Sequence, residues 1–290
     1  MSISTLFSSQ EILDFIQRSL QEDIGDGDHS SLASIPPGTR AQAQMLIKEP
    51  GILAGVELSK TIFLFSDPSL EVDILISDGT PVSVGDVALT VKGSAHSILR
   101  TERLVLNLIQ RLSGVASKTA ELNTLIAGTG CKLLDTRKTT PGLRRLEKWA
   151  VTMGGGYNHR IGLYDMIMLK DNHNDCAGGI TQAVTNTKKY LQEKNLTLKI
   201  EVETRNLEEV KEALSVGGVD RIMLDNFEVA TMREAVKLIN GTVETEASGG
   251  ITEKTIREYA ETGVNFISVG ALTHSVRSMD ISLKVKMREA

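Results

Sequence analysis

The feature that most constrains this chain is a regular beat in its second half. Short apolar runs recur there, each followed by a helix-forming segment. KIEVE (199–203) leads into NLEEVKEALSVGG, and RIMLDN (221–226) into EVATMREAVKLING. TVETEASGG (242–250) leads into TEKTIREYAETG, and NFISVGAL (265–272) closes the series. The run ends, at Glu203, Asp225, Ser248 and Gly270, lie about 22 residues apart, the length of one strand and one helix with short connections. CKLLDT (131–136) and MIMLKD (166–171) are earlier members of the same series. Repeated βα units imply a parallel sheet covered by helices. The strands read as apolar runs buried on both faces, and that reading favours closure into a barrel.

The first third has a different texture. Residues 9–22 carry helical spacing behind a serine start signal, 40–49 and 71–76 read as strands between Gly, Pro and Asp punctuation, and 98–127 is a long apolar-periodic helical stretch. The pair Ser113-Gly114 is a candidate break in that helix. This part reads as an α+β domain without βα alternation. At 290 residues the chain exceeds the usual single-domain size.

Composition excludes several classes. A formal charge of −5 provides no basic field for nucleic acid. No apolar run reaches the roughly 18–20 residues that span a bilayer, and residues 1–17 show no basic region ahead of an apolar stretch. Two cysteines, Cys131 and Cys176, make neither a disulfide framework nor a zinc pattern. A reducing, cytoplasmic setting is expected.

In βα barrels chemistry sits at the C-terminal ends of the strands. That rule selects Thr136-Arg137-Lys138, Lys170-Asp171, Glu203, Asp225, Ser248-Gly249-Gly250 and Ser268-Val269-Gly270. The last two loops suit phosphate, because glycine lets backbone N–H groups approach an anion closely; simple turns are the plainer alternative. Residues 136–160 are the densest cationic region, with Arg137, Lys138, Arg144, Arg145, Lys148 and Arg160 beside His159. Guanidinium forks match carboxylate and phosphate oxygens. Arg145 and Lys148 are expected on a solvated helix face. Gly154-Gly155-Gly156 suggests a flexible loop ahead of His159. Lys170 is either a Schiff-base nucleophile or an anion ligand. Glu203 and Asp225 suit Mg²⁺, ribose hydroxyls or a developing cation, or simply cap the helices that follow. His274, just past the final glycine loop, is within reach of a bound phosphate, whereas His29 and His96 are expected to be structural or on the surface.

Taken together, EDIGDGDHSS, KEPGILAGVE, RTERLVLNLIQRLSGVAS, LLDTRKTTPGLRRLEKWAV, GGGYNHRIGLYDMIMLKDNH, EVE, IMLDNF, EASGGI and FISVGALTHS resemble the quinolinate phosphoribosyltransferase family over nearly the whole chain. The loop SVGGVD is one residue longer than the common spacing and lies in a helix-to-strand connection. The resemblance implies an N-terminal α/β sandwich over 1–114, joined by the tail 275–290, and an open α/β barrel of parallel strands over 115–274. It also implies transfer of phosphoribosyl from phosphoribosyl pyrophosphate to quinolinate with loss of CO₂, in NAD biosynthesis, with Mg²⁺. A homodimer or higher oligomer is implied, in which Arg103 enters the neighbour's site, with no nucleic-acid or membrane partner.

Carried onto this chain, the family pattern makes Arg103, Arg137, His159 and Arg160 the clamp for the quinolinate carboxylates. Thr136 belongs to the same substrate site, and Lys138 and Lys170 are ligands for phosphate or for the substrate's anionic edge. Glu203 and Asp225 become the ribose- and Mg²⁺-facing carboxylates. Ser248, Gly249, Gly250, Ser268, Gly270 and His274 become the 5′-phosphate cradle. Lys138, Lys170, Glu203 and Asp225 are the catalytic set. Two other readings stay open on the residues alone: a lyase using Lys170 as a Schiff base, and a phosphate-ligand sensor on the same barrel.

Overall fold

The computed structural model describes residues 9–286. Residues 1–8, part of the segment read for a leader, lie outside the described residues. The chain divides into two compact units: 1–120 with 140–155 and 275–290, and 121–139 with 156–274. The sequence places the division at 114/115; the first unit here runs on to residue 120. The segment 140–155 lies inside the span assigned to the barrel, yet it belongs to the first unit.

The first unit holds a four-stranded antiparallel sheet in the order β12-β1-β5-β3, formed by β1 (Arg40–Ile47), β3 (Glu71–Ile74), β5 (Val87–Ser94) and β12 (Ile281–Lys286). In β1, Ala43, Met45 and Ile47 alternate inward, and Met45 stands opposite Leu89 of β5, so one face of the sheet is the core. The tail strand β12 pairs antiparallel with β1. A second, two-stranded sheet joins β2 (Gly51–Ile52) to β4 (Pro81–Val82). Helices α1 (Ser9–Ile24), α2 (His29–Ser34) and α3 (Val56–Ser66) complete this part. Three N–H groups at the start of α3, those of Gly55, Val56 and Glu57, donate to the Asp78 carboxylate at 2.6–3.2 Å. This cap comes from outside the helix.

Helix α4 (Ala95–Leu125) is continuous and does not break at Ser113-Gly114. Both residues serve packing. Ser113 Oγ accepts the Ala54 N–H at 3.0 Å, and a side chain at Gly114 would collide with the Arg277 carbonyl. Helix α5 (Arg144–Met153) also lies in the first unit. Its Lys148 is fully buried, which corrects the expected solvated position, while Arg145 pairs with Glu11 at 3.6 Å. Gly154, expected to loosen a loop, is buried where a Cβ would strike the Ala116 carbonyl; close approach explains it.

The second unit is a six-stranded parallel sheet in the order β6-β11-β10-β9-β8-β7. Its strands are β6 (Lys132–Leu134), β7 (Ile167–Leu169), β8 (Ile200–Thr204), β9 (Arg221–Asp225), β10 (Glu244–Ser248) and β11 (Phe266–Ser268). Helices follow each strand after β6: α6 (Asp171–Ala177) and α7 (Ile180–Lys194), α8 (Leu207–Val216), α9 (Val229–Ile239), α10 (Ile256–Ala260) and α11 (Ala271–His274). Among the described residues β6 and β7 do not pair with one another, so the barrel is open; Tyr157 instead bridges to Leu134 on the edge of β6.

Alternation along these strands sorts the side chains. Leu133, Val202, Ile222, Leu224, Ala247 and Ile267 are apolar and fully buried. The opposite set, fixed by the registers Glu203↔Met223, Glu246↔Met223, Glu246↔Phe266 and Ser248↔Asp225, is mostly polar. The expectation of strands apolar on both faces is therefore wrong. One face is apolar, and the other carries the charges.

Candidate active site

Arg137 and Lys138 follow directly on β6. Lys138 donates its N–H to Thr136 Oγ1 at 3.0 Å, and its carbonyl accepts the Thr273 hydroxyl at 2.8 Å. Arg137 is half-buried, and its Nε is buried with no hydrogen-bond partner among the described residues. Arg160, also half-buried, reaches the Met166 carbonyl with Nη1 at 3.2 Å. Burial, then the neighbouring Arg137 charge, holds its pKa below the ordinary guanidinium value. Two guanidiniums whose charges reach one another, neither fully neutralised, form an anion site.

Lys170 and Glu203 sit on adjacent strand ends, with Nζ 3.3 Å from Oε2. Glu203 lies inside β8, one residue before its end. It is buried, takes the Asp171 N–H at Oε1 (3.3 Å), and its carbonyl accepts from Asn174 at 3.2 Å. The paired ammonium of Lys170 favours the electrostatic reading over a Schiff-base nucleophile, which must be neutral to attack. Asp225, the last residue of β9, receives the Asn226 amide at Oδ2 (2.6 Å). The two carboxylates sit near the ends of adjacent strands on the polar face, a donor set that suits a hard cation held jointly with substrate phosphates.

The glycine loops are shaped by contact. Gly249 has φ +92, and a Cβ there would collide with the Asn226 side chain; Gly250 has φ +61 and open space where its side chain would be. Asn226 itself has φ +56 and donates its N–H to the Ser248 carbonyl at 2.9 Å. At Gly270, a Cβ would lie 3.0 Å from both the His274 ring and Lys138 Cδ, so these three residues meet. His274 is exposed, and Ser268 is buried beside Glu246. The second unit thus brings together Lys138, Gly270 and His274; Ser248, Gly249 and Asp225, through Asn226; Lys170 and Glu203; and Arg137 and Arg160. Arg103 lies in the first unit, exposed on α4, with no ion-pair partner among the described residues.

His159, expected in the carboxylate clamp, turns its ring toward two buried acids. It is buried, with Nε2 3.0 Å from Glu201 Oε2 and 3.3 Å from Glu246 Oε2. Burial opposes its charge, but the two carboxylates prevail and push its pKa up to about 9. Burial and the neighbouring Glu246 charge push Glu201 up to about 7. Burial also opposes ionisation of Glu246, yet His159, Ser268 and Arg221 hold it below the ordinary carboxylate range. The Arg160 N–H donates to His159 Nδ1 at 2.7 Å, and the two acids hold the Nε2 proton within the trio. Beneath it, Arg221 donates to Glu246 at 3.0 Å and to Glu244 at 3.0 Å, and stacks 4.0 Å from the centre of the Phe266 ring. Sequence reasoning missed Glu201, Glu246, Arg221 and Asn226. The i, i+2 spacing of Glu201–Glu203 and Glu244–Glu246 was the available signal, since it places both glutamates of a pair on one face.

Comparison with known proteins agrees with this geometry. The quinolinate phosphoribosyl transferase C-terminal domain matches residues 115–284 and the N-terminal domain of the same family matches 28–113. The chain belongs to the quinolinate phosphoribosyltransferase family. Within this family it is 48% identical over 285 residues to the chloroplastic nicotinate-nucleotide pyrophosphorylase [carboxylating] of Arabidopsis thaliana, covering 93% of this chain and 81% of that protein. It is 46% identical over 266 residues to the probable nicotinate-nucleotide pyrophosphorylase [carboxylating] of Bacillus subtilis, covering 92% and 90%. The crystal structure of NadC from Streptococcus pyogenes superposes with a TM-score of 0.92 at 37% identity, covering 97% of this chain and 98% of that one. The family's open-barrel fold is the one found here.

Proposed function

We propose that this protein transfers the phosphoribosyl group of phosphoribosyl pyrophosphate to quinolinate with decarboxylation. The products are nicotinate mononucleotide, pyrophosphate and CO₂, in de novo NAD biosynthesis. Family membership supports the reaction. The observation that carries the substrate assignment is the adjacent Arg137–Arg160 pair with its unpartnered buried Nε, because an aromatic dicarboxylate supplies the oxygens that pair lacks.

The pyridine nitrogen attacks the anomeric carbon as the carbon–oxygen bond to pyrophosphate breaks. Glu203 and Asp225 face the positive charge that develops on the ribose. Lys138, His274 and the loops at Ser248–Gly250 and Ser268–Gly270 hold phosphate oxygens, and Arg137 and Arg160 orient the ring. The carboxyl group next to the quaternised nitrogen then leaves as CO₂, and the electron pair left on carbon takes a proton. Mg²⁺, held by Glu203 and Asp225 together with the pyrophosphate, would supply charge neutralisation of the leaving group. The functional unit in this reading is a homodimer in which the exposed Arg103 completes a second copy's site, and the location is cytoplasmic. The plant relatives are named chloroplastic or mitochondrial, so fractionation of the source cells tests the location.

Incubation of the protein with quinolinate, phosphoribosyl pyrophosphate and Mg²⁺ should yield nicotinate mononucleotide, and nicotinic acid in place of quinolinate should yield none. Arg137→Ala should weaken quinolinate binding on the order of 100-fold and leave phosphoribosyl pyrophosphate binding nearly unchanged. Equal losses for both substrates in a titration would remove the assignment.

A further inference from the structure

The polar face of the second sheet carries more charge than this reaction uses. Glu201 and Glu246 are fully buried, so no substrate touches them. Burying a carboxylate costs several kcal/mol unless it is well paired. Apart from the His159 ring, both oxygens of Glu201 and Oε1 of Glu246 nevertheless have no hydrogen-bond partner among the described residues. Packing alone would be served better by Val or Leu at either position, as at Val202 and Leu224 on the opposite face.

What the two acids face is the His159 ring, at 3.0 and 3.3 Å. That residue is fixed on its other side too. Its N–H donates to Asp135 Oδ1 at 2.9 Å, and the amide of the preceding Asn158 donates to Asp135 Oδ2 at 2.5 Å. Its Nδ1 receives the N–H of Arg160. A continuous chain of contacts thus runs from the buried acids through the imidazole to the main chain that carries the Arg160 guanidinium. Arg160 lies close enough to feel the charges of both Glu201 and Arg137.

We propose that Glu201 and Glu246 are positioning residues for the dicarboxylate subsite. They hold the His159 ring in the orientation that seats the Arg160 main chain, and so set Arg160 beside Arg137. The inference rests on the reading that these two arginines receive quinolinate. His159 is then a link in the support rather than a ligand. The three side chains also have the make-up of a metal site, with one ligand atom from each lying within 4.8 Å of the others. The Arg221 guanidinium 3.0 Å from Glu246 Oε2 already supplies the positive charge there.

Glu201→Gln and Glu246→Gln keep side-chain volume and test the inference directly. The Kd for quinolinate alone, read by calorimetry, and its KM are expected to rise on the order of 10–100-fold. The KM for phosphoribosyl pyrophosphate should stay within about twofold, because the phosphate loops lie outside this chain of contacts. In a cycle with Arg160→Ala, the losses should be non-additive: once Arg160 is gone, Glu246→Gln should cost quinolinate binding nothing further. If a Gln variant fails to fold, His159→Asn serves instead. It keeps an acceptor near the position of Nδ1 but cannot reach the acids, and should reproduce the quinolinate defect. Parallel rises for both substrates, additive losses in the cycle, or a lower melting temperature with unchanged quinolinate binding would overturn the inference. So would a stoichiometric metal ion in the purified protein that is lost in Glu201→Gln. A wild-type protein that binds no quinolinate removes the underlying reading; wild-type binding matched by the variants removes this inference alone.

Discussion

Glu147 in the first unit and Glu201 in the second are both fully buried glutamates, and their surroundings could hardly differ more. Glu147 is saturated. Arg111 donates to its Oε1 through Nε at 3.1 Å and Nη2 at 2.9 Å, and Thr140 donates its hydroxyl at 2.7 Å and its N–H at 3.0 Å. Glu201 has the His159 ring 3.0 Å from Oε2, no other hydrogen-bond partner among the described residues, and a pKa up near 7. A buried charge whose hydrogen bonds are all made is a fastening, which ties α5 to α4 in the first unit. A buried charge left short of partners persists only where something other than stability retains it, and Glu201 adjoins the residues assigned to substrate.

The satisfied glutamate is the costlier of the two to remove. Glu147→Ala strands the mostly buried Arg111 guanidinium and the Thr140 donors, and should cost about 3–5 kcal/mol of stability. Chemical denaturation measures this, and a loss below about 1 kcal/mol would show that Glu147 is not the fastening its geometry suggests. The next effect comes from the other end. The His159 pKa is up at about 9 in the folded protein, against an unfolded value near 6.5. Between these values the folded state binds more protons than the unfolded state, so stability must fall as pH rises through that window. The contribution is complete below about pH 6.5 and gone above about pH 9, and its loss is about 3 kcal/mol. His159→Asn should flatten that stretch of the stability–pH curve. An unchanged slope would mean that the proton is not held by this trio.

Much of the second unit was legible because its regularity is local. The interval between Glu203, Asp225, Ser248 and Gly270 marks successive βα units, and those strands and helices are present as β8 to β11 and α8 to α11. Thr136, Lys138, Lys170, Asp225 and the glycine loops could be selected because strand-end residues in βα folds are aligned by topology. The failures share a cause. The burial of Lys148, the saturation of Glu147 and the assignment of 140–155 to the first unit depend on where the chain returns in space, and no local pattern encodes that. The trio of Glu201, Glu246 and His159 was missed for a related reason. Each lies outside the strand-end set or was read as a direct ligand, and only the registers of β8, β9 and β10 show that they share an enclosed face. The strands had been read as apolar throughout, which hid the alternation that would have exposed the pairs Glu201–Glu203 and Glu244–Glu246.

The smallest effect sharpens the contrast within the site itself. Asn226 braces a region of otherwise sparsely paired groups. Its amide holds Asp225 at 2.6 Å, its N–H holds the Ser248 carbonyl at 2.9 Å, and its side chain fills the space that a Cβ on Gly249 would need. Its left-handed φ of +56 is a conformation that glycine adopts without strain. Asn226→Gly therefore keeps the backbone and deletes only the brace between the ribose-facing carboxylate and the phosphate loop. If Asn226 is a fastening like Glu147, its loss should appear in stability. If it serves the site, stability should change by less than about 0.5 kcal/mol, while one charge-assisted hydrogen bond, about 1.5 kcal/mol, is lost from the phosphoribosyl subsite. The second outcome is expected, as a roughly tenfold rise in KM for phosphoribosyl pyrophosphate with the KM for quinolinate unmoved. It is the mirror image of the defect expected for Glu246→Gln, so the two variants measured side by side separate the support of one subsite from that of the other.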